Sequence, residues 1–366
     1  IIDHHHHGLS GFDFYRNDHS LIKIEAAQSA SGTNRTATAE AATTVNMTTT
    51  ARTALDELSK EGAFVRKESV WRDWISTEPG AKFPAENGRY HLFVAYACPW
   101  AHRTLITRAV KGLTDAISVT VVMPVWKKTK PDDPEDKHCG WVFADPDGEP
   151  YPNTIGLGGP FPASYPENEP EPFYGATSVR ELYERVNDTN GKYTVPILFD
   201  KVQKTIVSNE SSEIIQMLND SFNQWAKYPD VDLNPVDLRD TMKNVDSWIY
   251  PNINNGVYRC GFARSQAAYD QAIGDLTEAF DKLEVLLSKQ RYIAGDRFTL
   301  SDIRLFVTLL RFDEVYIVYF KTNTRSIASS PVLLNYCRDI YQHAGVKDTI
   351  NMDQIKMHYF CSHPEL

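Results

Sequence analysis

The sequence predicts a chain in two parts, an α/β unit followed by an all-helical one. Three observations predict it. Between residues 71 and 218, β-branched apolar runs alternate with segments of helical periodicity. From residue 235 onward the helical periodicity continues and strand signals nearly vanish. Residues 221–234, between the two, are polar and read as a linker. The chain has 366 residues, 42% of them hydrophobic, which is enough for about two domains with cores of their own.

The elements follow in order. Residues 89–97 form an apolar strand, and residues 99–111 a helix whose first position is Pro99, where a missing N–H costs nothing. The β-branched run 117–125 is the next strand. Residues 127–172 are dense in Pro, Gly, Asp and Lys and read as a long surface insertion. A helix over 179–187, strands over 193–200 and 205–208, and a helix from Ser211 complete the unit. The order β-α-β-α-β-β-α is that of a thioredoxin-like domain. Helical periodicity then covers 236–250, 264–289, 300–318 and 332–343. The expected domains are therefore a tag and flexible arm (1–66), a thioredoxin-like unit (67–220), the linker (221–234), an all-helical unit (235–345) and a C-terminal tail (346–366).

Composition narrows the function. A net charge of −10 argues against a nucleic-acid partner. No run of about 18 apolar residues occurs, so no membrane span is expected. The five cysteines are scattered, without CxxC or zinc-type spacing, so no metal is expected and a reducing compartment fits. The chain is expected in the cytoplasm. The Ala/Thr/Ser-rich residues 25–53 read as a flexible arm, with a mitochondrial transit segment as the alternative. His4 to His7 read as part of an affinity tag and are set aside from any metal argument.

Three short stretches carry chemistry. Cys98 stands where a strand meets a helix, at the positive end of the helix dipole. Such a position can bring a cysteine pKa from ~8.5 into the range ~3.5–7.5, though a plain buried thiol is a common fate of this residue. Pro196 interrupts the run Tyr-Thr-Val-Pro-Ile-Leu-Phe-Asp. Either the Val195–Pro196 bond is cis beside an exposed backbone edge that can pair with a peptide, or Pro196 is an ordinary edge proline. The run Val-Ser-Asn-Glu-Ser-Ser-Glu-Ile-Ile ends a strand and opens a helix. Its helix N-terminus and serine suit a carboxylate and Glu210 suits an ammonium, while a capping box explains the serines equally well. A thiol, a strand proline and an ammonium–carboxylate cradle in this order together point to glutathione. His102 and Arg103 read as shaping the helix, and Asp302 as a helix cap.

These motifs resemble the glutathionyl-hydroquinone reductases, the Xi-class, omega-like glutathione transferases. Cys-Pro-Trp-Ala-His-Arg-Thr, Thr-Val-Pro-Ile-Leu and Ser-Asn-Glu-Ser-Ser-Glu-Ile-Ile are similar to that family's signature. So are Asn-Asn-Gly-Val-Tyr-Arg-Cys-Gly-Phe, Leu-Ser-Asp-Ile-Arg-Leu, Arg-Phe-Asp-Glu-Val-Tyr and Ile-Lys-Met-His-Tyr in the helical half. The resemblance implies an all-helical glutathione-transferase C-terminal domain, glutathione as co-substrate and a homodimer. It implies Cys98 as nucleophile, and Trp141, Val195, Pro196, Glu210 and Ser211 as glutathione-binding residues. Tyr258, Tyr316 and Tyr359 would line the pocket for glutathionylated quinols. The chain departs from the family pattern in the length of residues 127–138 and in the Pro/Gly content of 147–172.

The expected reaction reduces glutathionyl-hydroquinones to hydroquinones through a Cys98–glutathione mixed disulfide. Two alternatives stand beside it. One is an omega-like thioltransferase or dehydroascorbate reductase that uses the same cysteine. The other is a non-catalytic, aromatic-ligand-binding relative.

Overall fold

The structure, a computed structural model, describes residues 57–154 and 158–363. The tag and the arm as far as residue 56 lie outside the described residues. The first half is built on a four-stranded sheet in the order β4-β3-β7-β8. Strand β3 is Tyr90–Val94, β4 Ser118–Val121, β7 Ile197–Asp200 and β8 Thr205–Ser208. Ahead of them, the short strands β1 (Ile75–Ser76) and β2 (Phe83–Pro84) pair in parallel. Strand β3 runs parallel to β4 and antiparallel to β7, with Leu92 opposite both Val119 and Leu198. The parallel pair needs a crossover, and helix α1 (Pro99–Val110) supplies it. Every residue of β3 and β7 is buried, as expected for strands covered on both faces.

The insertion is not all surface. Its strands β5 (Lys127–Lys128) and β6 (Cys139–Gly140) pair antiparallel. Met123, Val125, Val142, Ala144 and Tyr151 form a small core of their own. Helix α2 (Val179–Arg185) then leads back to the sheet, and α3 (Ser211–Asp220) packs beside α1. Strand β7 begins only at Ile197, so Pro196 precedes the strand instead of interrupting it. Its missing N–H therefore removes no ladder bond.

The second half is helical: α4 (Arg239–Ile249), α5 (Gly256–Phe262), α6 (Gln266–Leu287), α7 (Leu300–Arg311), α8 (Ile317–Tyr319), α9 (Pro331–Tyr341) and α10 (Met352–Ser362). Three features differ from the periodicity. Helix α5, with the π-helical turn Tyr250–Asn254 before it, fills the stretch between 250 and 264 where no helix is expected. The segment expected as one helix over 300–318 passes through a π-helical turn, Phe312–Tyr316, after Arg311. The expected tail contains α10, whose amphipathic signal is low because its buried face is largely polar: Gln354, His358 and Ser362 are buried there beside Ile355 and Tyr359. Asp302 caps α7 in a capping box with Thr299. Helix α7 packs on α1, so the first turn of α1 lies between the two halves.

Candidate active site

The joint between β3 and α1 is held from the helical half. Arg311 is fully buried, and its guanidinium donates to the carbonyls of Tyr96 at 2.8 Å, Ala97 at 3.2 Å and Val307 at 2.7 Å. It also donates to His102 Nδ1 at 3.1 Å. Thr349 Oγ1 gives its own proton to the Val346 carbonyl, so His102 carries a proton on Nε2 and donates it to that oxygen at 2.9 Å. Burial and the Arg311 charge hold His102 well below the ordinary histidine range. It is a neutral strut, not a base, as its position in the sequence suggests.

Cys98 occupies the N-cap of α1 in extended conformation, followed by Pro99 at the first helical position. Its Sγ donates to the Val195 carbonyl at 3.4 Å, and the Val195–Pro196 bond is cis. The N–H groups of Ala101 and Trp100, with Arg311 and Arg66, favour the thiolate. Burial nevertheless outweighs them and pushes the Cys98 thiol up from its ordinary value. This corrects the expectation from the helix dipole alone: in the free protein the helix start offsets desolvation without overcoming it.

Across the cleft, Glu210 is the N-cap of α3 and accepts from the Ser212 N–H at 2.9 Å. Burial raises its carboxyl, but the Ser212 N–H and hydroxyl, the Ser69 hydroxyl and Arg103 more than offset that, so it lies below the usual carboxylate range. Glu210 is therefore an anion beside a helix N-terminus. It can hold an ammonium while the neighbouring N–H groups hold a carboxylate. Ser211 is buried, and its Oγ accepts from Arg103 at 3.4 Å.

These groups open onto one cavity of about 1080 Å³, lined by Cys98, Trp141, Val195, Pro196, Glu210, Ser211, Tyr258 and Tyr359 among others. Trp141 follows β6 and lies against His358 of α10, the rings 4.4 Å apart and near parallel. The insertion thus places Trp141 in the wall. The third tyrosine differs from expectation. Tyr316 is not among the residues lining the cavity; it stands behind Tyr359, whose hydroxyl lies 3.1 Å from its own and 2.9 Å from that of Tyr258. It reaches the cavity only through that chain of hydroxyls, because the π-helical turn buries its ring completely. Burial raises all three phenols, and Cys98 adds to the effect at Tyr258. The chain of hydroxyls therefore holds its protons at neutral pH and can donate them.

Sequence reasoning missed several wall residues. Arg66, Trp100, Arg103, Trp126, Arg304 and His358 all line the cavity. Trp100 and His358 lay inside quoted motifs without a role. Arg66 lay in the segment read as flexible. Residues 57–66 instead pack firmly: Phe64 is buried against Tyr258 and Phe262, and Glu57 pairs with Lys192. The alternation of polar and apolar residues there is too short to read as an element.

A thioredoxin-like sheet, a cysteine at the first crossover helix, a Val-cis-Pro edge, an acidic helix cap and a helical partner together define the glutathione-transferase class. The family models agree: "Glutathione S-transferase, N-terminal domain" matches residues 97–221 and "Glutathione S-transferase, C-terminal domain" matches residues 266–339. Within that class the chain belongs to the Xi-class glutathionyl-hydroquinone reductase family. It is 40% identical over 315 residues to the glutathionyl-hydroquinone reductase YqjG of Escherichia coli K12, covering 84% of this chain and 87% of that protein. It superposes on the crystal structure of the Xi glutathione S-transferase from Phanerochaete chrysosporium with a TM-score of 0.73 at 43% identity, over 84% of this chain and 90% of that one. The glutathione-bound structure of YqjG superposes with a TM-score of 0.70 at 40% identity, over 80% and 88% of the two chains.

Proposed function

We propose that this chain reduces glutathionyl-hydroquinones to hydroquinones at the expense of glutathione, with Cys98 as the nucleophile. The observation that carries the residue assignment is the shared cavity. Cys98, at the Val195 edge, and the Tyr258–Tyr359 hydroxyl pair line the same space.

The cradle residues fit glutathione. Glu210 and the N-terminus of α3 take the γ-glutamyl ammonium and carboxylate. The Val195 backbone pairs with the cysteinyl residue, and Trp141 walls the far side. The peptide's approach displaces the Cys98 Sγ–H from the Val195 carbonyl. Loss of that acceptor and the arrival of a polar ligand free the sulfur to ionise under Arg311, Arg66 and the first N–H groups of α1.

The Cys98 thiolate attacks the glutathionyl sulfur of the substrate. An aryl carbanion is a poor leaving group, so the ring reacts as its keto tautomer, in which the carbon bearing sulfur also bears hydrogen. A Cys98–S–S–glutathione bond forms, the C–S bond breaks, and its electron pair becomes the phenolate of the departing quinol. A proton from the tyrosine hydroxyls completes the hydroquinone. A glutathione thiolate then attacks the mixed disulfide at its glutathionyl sulfur, releasing oxidised glutathione and the Cys98 thiolate. Overall one glutathione thiol and the thioether sulfur of the substrate are joined as the disulfide of oxidised glutathione, the ring carbon–sulfur bond is reduced to carbon–hydrogen, and Cys98 is regenerated.

The chain acts as a homodimer in the cytoplasm on this reading, with glutathione and glutathionylated quinols as its partners and neither nucleic acid nor membrane. Among the described residues no helix is long and apolar enough to cross a membrane. On this reading the glutathione-binding domain spans 67–220, extended back to residue 57, and the all-helical domain spans 235–345. Replacing Cys98 by Ser tests the assignment directly. Turnover of glutathionyl-menadiol is expected to fall by at least about 10³-fold. Turnover retained within tenfold of the unchanged protein would remove Cys98 from the mechanism.

A further inference from the structure

The segment 57–66 carries Arg66, whose charge favours the Cys98 thiolate. The segment is fastened at several points. Val65 N donates to Glu57 O at 2.9 Å, Arg264 N to Gly62 O at 2.8 Å and Ser265 Oγ to Glu61 O at 2.8 Å; Lys192 pairs with Glu57 and donates to Lys67 O at 3.0 Å. These bonds tie the segment to the approach to α2 and β7 on one side and to the start of α6 on the other. They fix the base of Arg66.

The Arg66 side chain reaches into the catalytic cavity. Its guanidinium carbon lies 4.8 Å from the ring centre of Tyr258, 4.7 Å from that of Trp100 and 5.2 Å from that of Phe64. Its Nε donates to Asn255 Oδ1 at 2.8 Å. Its Nη2 is buried and has no hydrogen-bond partner. Leaving a buried charged donor unmade is costly, and this one belongs to a side chain in the cavity wall, where a ligand can complete it. The aromatic rings stabilise the charge without using its N–H groups, which leaves those groups for something else in the cavity. Arg66 also favours the thiolate form of Cys98, so its field reaches the reacting sulfur.

We propose that Arg66 is a further catalytic residue, whose Nη2–H receives the ring oxygen of the departing quinol as its charge develops. The inference rests on the hydroquinone reading above. When the C–S bond breaks, its electron pair ends on the quinol oxygen as phenolate. Tyr258 and Tyr359 are high-pKa phenols and deliver a proton late, whereas a guanidinium stabilises the oxyanion while it forms and needs no proton transfer. The planar, fixed guanidinium stacked among rings also matches a flat aromatic leaving group.

The test compares two substrates. Glutathionyl-menadiol expels a quinol; the mixed disulfide of glutathione and 2-mercaptoethanol expels a small thiolate from the other side of the same Cys98 chemistry. Arg66→Gln is expected to lower kcat/KM on glutathionyl-menadiol by about 10²-fold, and on the mixed disulfide by a clearly smaller factor, below about tenfold, which is the share owed to its support of the Cys98 thiolate. Across glutathionyl-hydroquinones of decreasing phenol acidity, the loss is expected to grow, because the unassisted oxyanion is then more basic. Arg66→Lys, which keeps charge but loses the fork, is expected to fall between the two, and carries the same comparison if Arg66→Gln does not fold. An equal loss on both substrates, a loss below threefold on glutathionyl-menadiol, or a loss independent of phenol acidity overturns the proposal. An unsubstituted protein inactive on every glutathionyl-hydroquinone but active on the mixed disulfide would sink the underlying reading instead.

Discussion

Tyr258, Tyr359 and Tyr316 are joined hydroxyl to hydroxyl, and only the first two border the cavity. Tyr258 has two neighbours that set its role. Tyr359 shares its proton, and Cys98 opposes its ionisation. Burial and the neighbouring sulfur thus keep the Tyr258 phenol protonated when Cys98 ionises. Tyr258→Phe removes a hydroxyl from the cavity wall it shares with Cys98 and keeps the ring contacts with Phe262 and Phe320. It is expected to slow reduction of glutathionyl-menadiol by about 10- to 100-fold, while the affinity for glutathione changes less than threefold. Pre-steady-state release of menadiol and glutathione titration separate the two. An unchanged release rate would take Tyr258 out of the proton path.

At the scale of elements, the decisive joint is the turn from β3 into α1, and its stability comes from α7. Arg311 satisfies the carbonyls of Tyr96 and Ala97, which the turn leaves without ladder partners. Arg311→Met keeps most of the stem and strands those carbonyls together with His102 Nδ1. It is expected to cost about 3 kcal/mol in urea unfolding, and to lower glutathione affinity because Cys98 and the first turn of α1 lose their anchor. A loss under about 0.5 kcal/mol would show that water replaces the guanidinium without penalty. This joint also marks how far the sequence could be read. The strand, Cys98, Pro99 and the helix were legible because capping and periodicity are local rules; at α3 the helix start was legible too, but the capping residue is Glu210 and not the serines that a capping box suggests. The Arg311 anchor joins residues some 210 positions apart, and no local pattern marks such a pairing. For the same reason Arg66 was read as part of a flexible arm, α10 as tail, and the helix through Phe312–Tyr316 as unbroken. Their conformations are fixed by what packs on them from distant parts of the chain.

At the scale of the whole molecule, α10 closes the second half back onto the insertion of the first. His358 Nδ1 lies 3.0 Å from the Pro124 carbonyl, Ser362 Oγ accepts from Trp126 N at 3.0 Å, and Asn168 and Gln354 exchange amide hydrogen bonds. His363 stacks edgewise on Trp126 at 4.4 Å and bonds the Tyr319 hydroxyl. The histidines in and near this seam are buried and neutral. Burial lowers His363 to about 3, and burial with neighbouring positive charge holds His102 and His358 well below the ordinary value. In the unfolded chain each titrates near 6.5. Between those limits the unfolded state binds more protons, so the stability these groups contribute is complete above about pH 6.5 and is lost as the pH falls toward 3. Each such group contributes a slope of about 1.4 kcal/mol per pH unit once the pH is below its unfolded value. Urea unfolding at intervals from pH 7.5 to 4.5 is expected to show flat stability at the upper end and a steepening decline below pH 6.5. His363→Phe keeps an aromatic ring against Trp126 and cannot take the proton, so its curve is expected to decline less steeply by about one group's slope, even if its plateau is lower. Parallel curves for the two proteins below pH 6 would mean that His363 is protonated in the folded state. The seam would then tolerate a charge that its burial forbids.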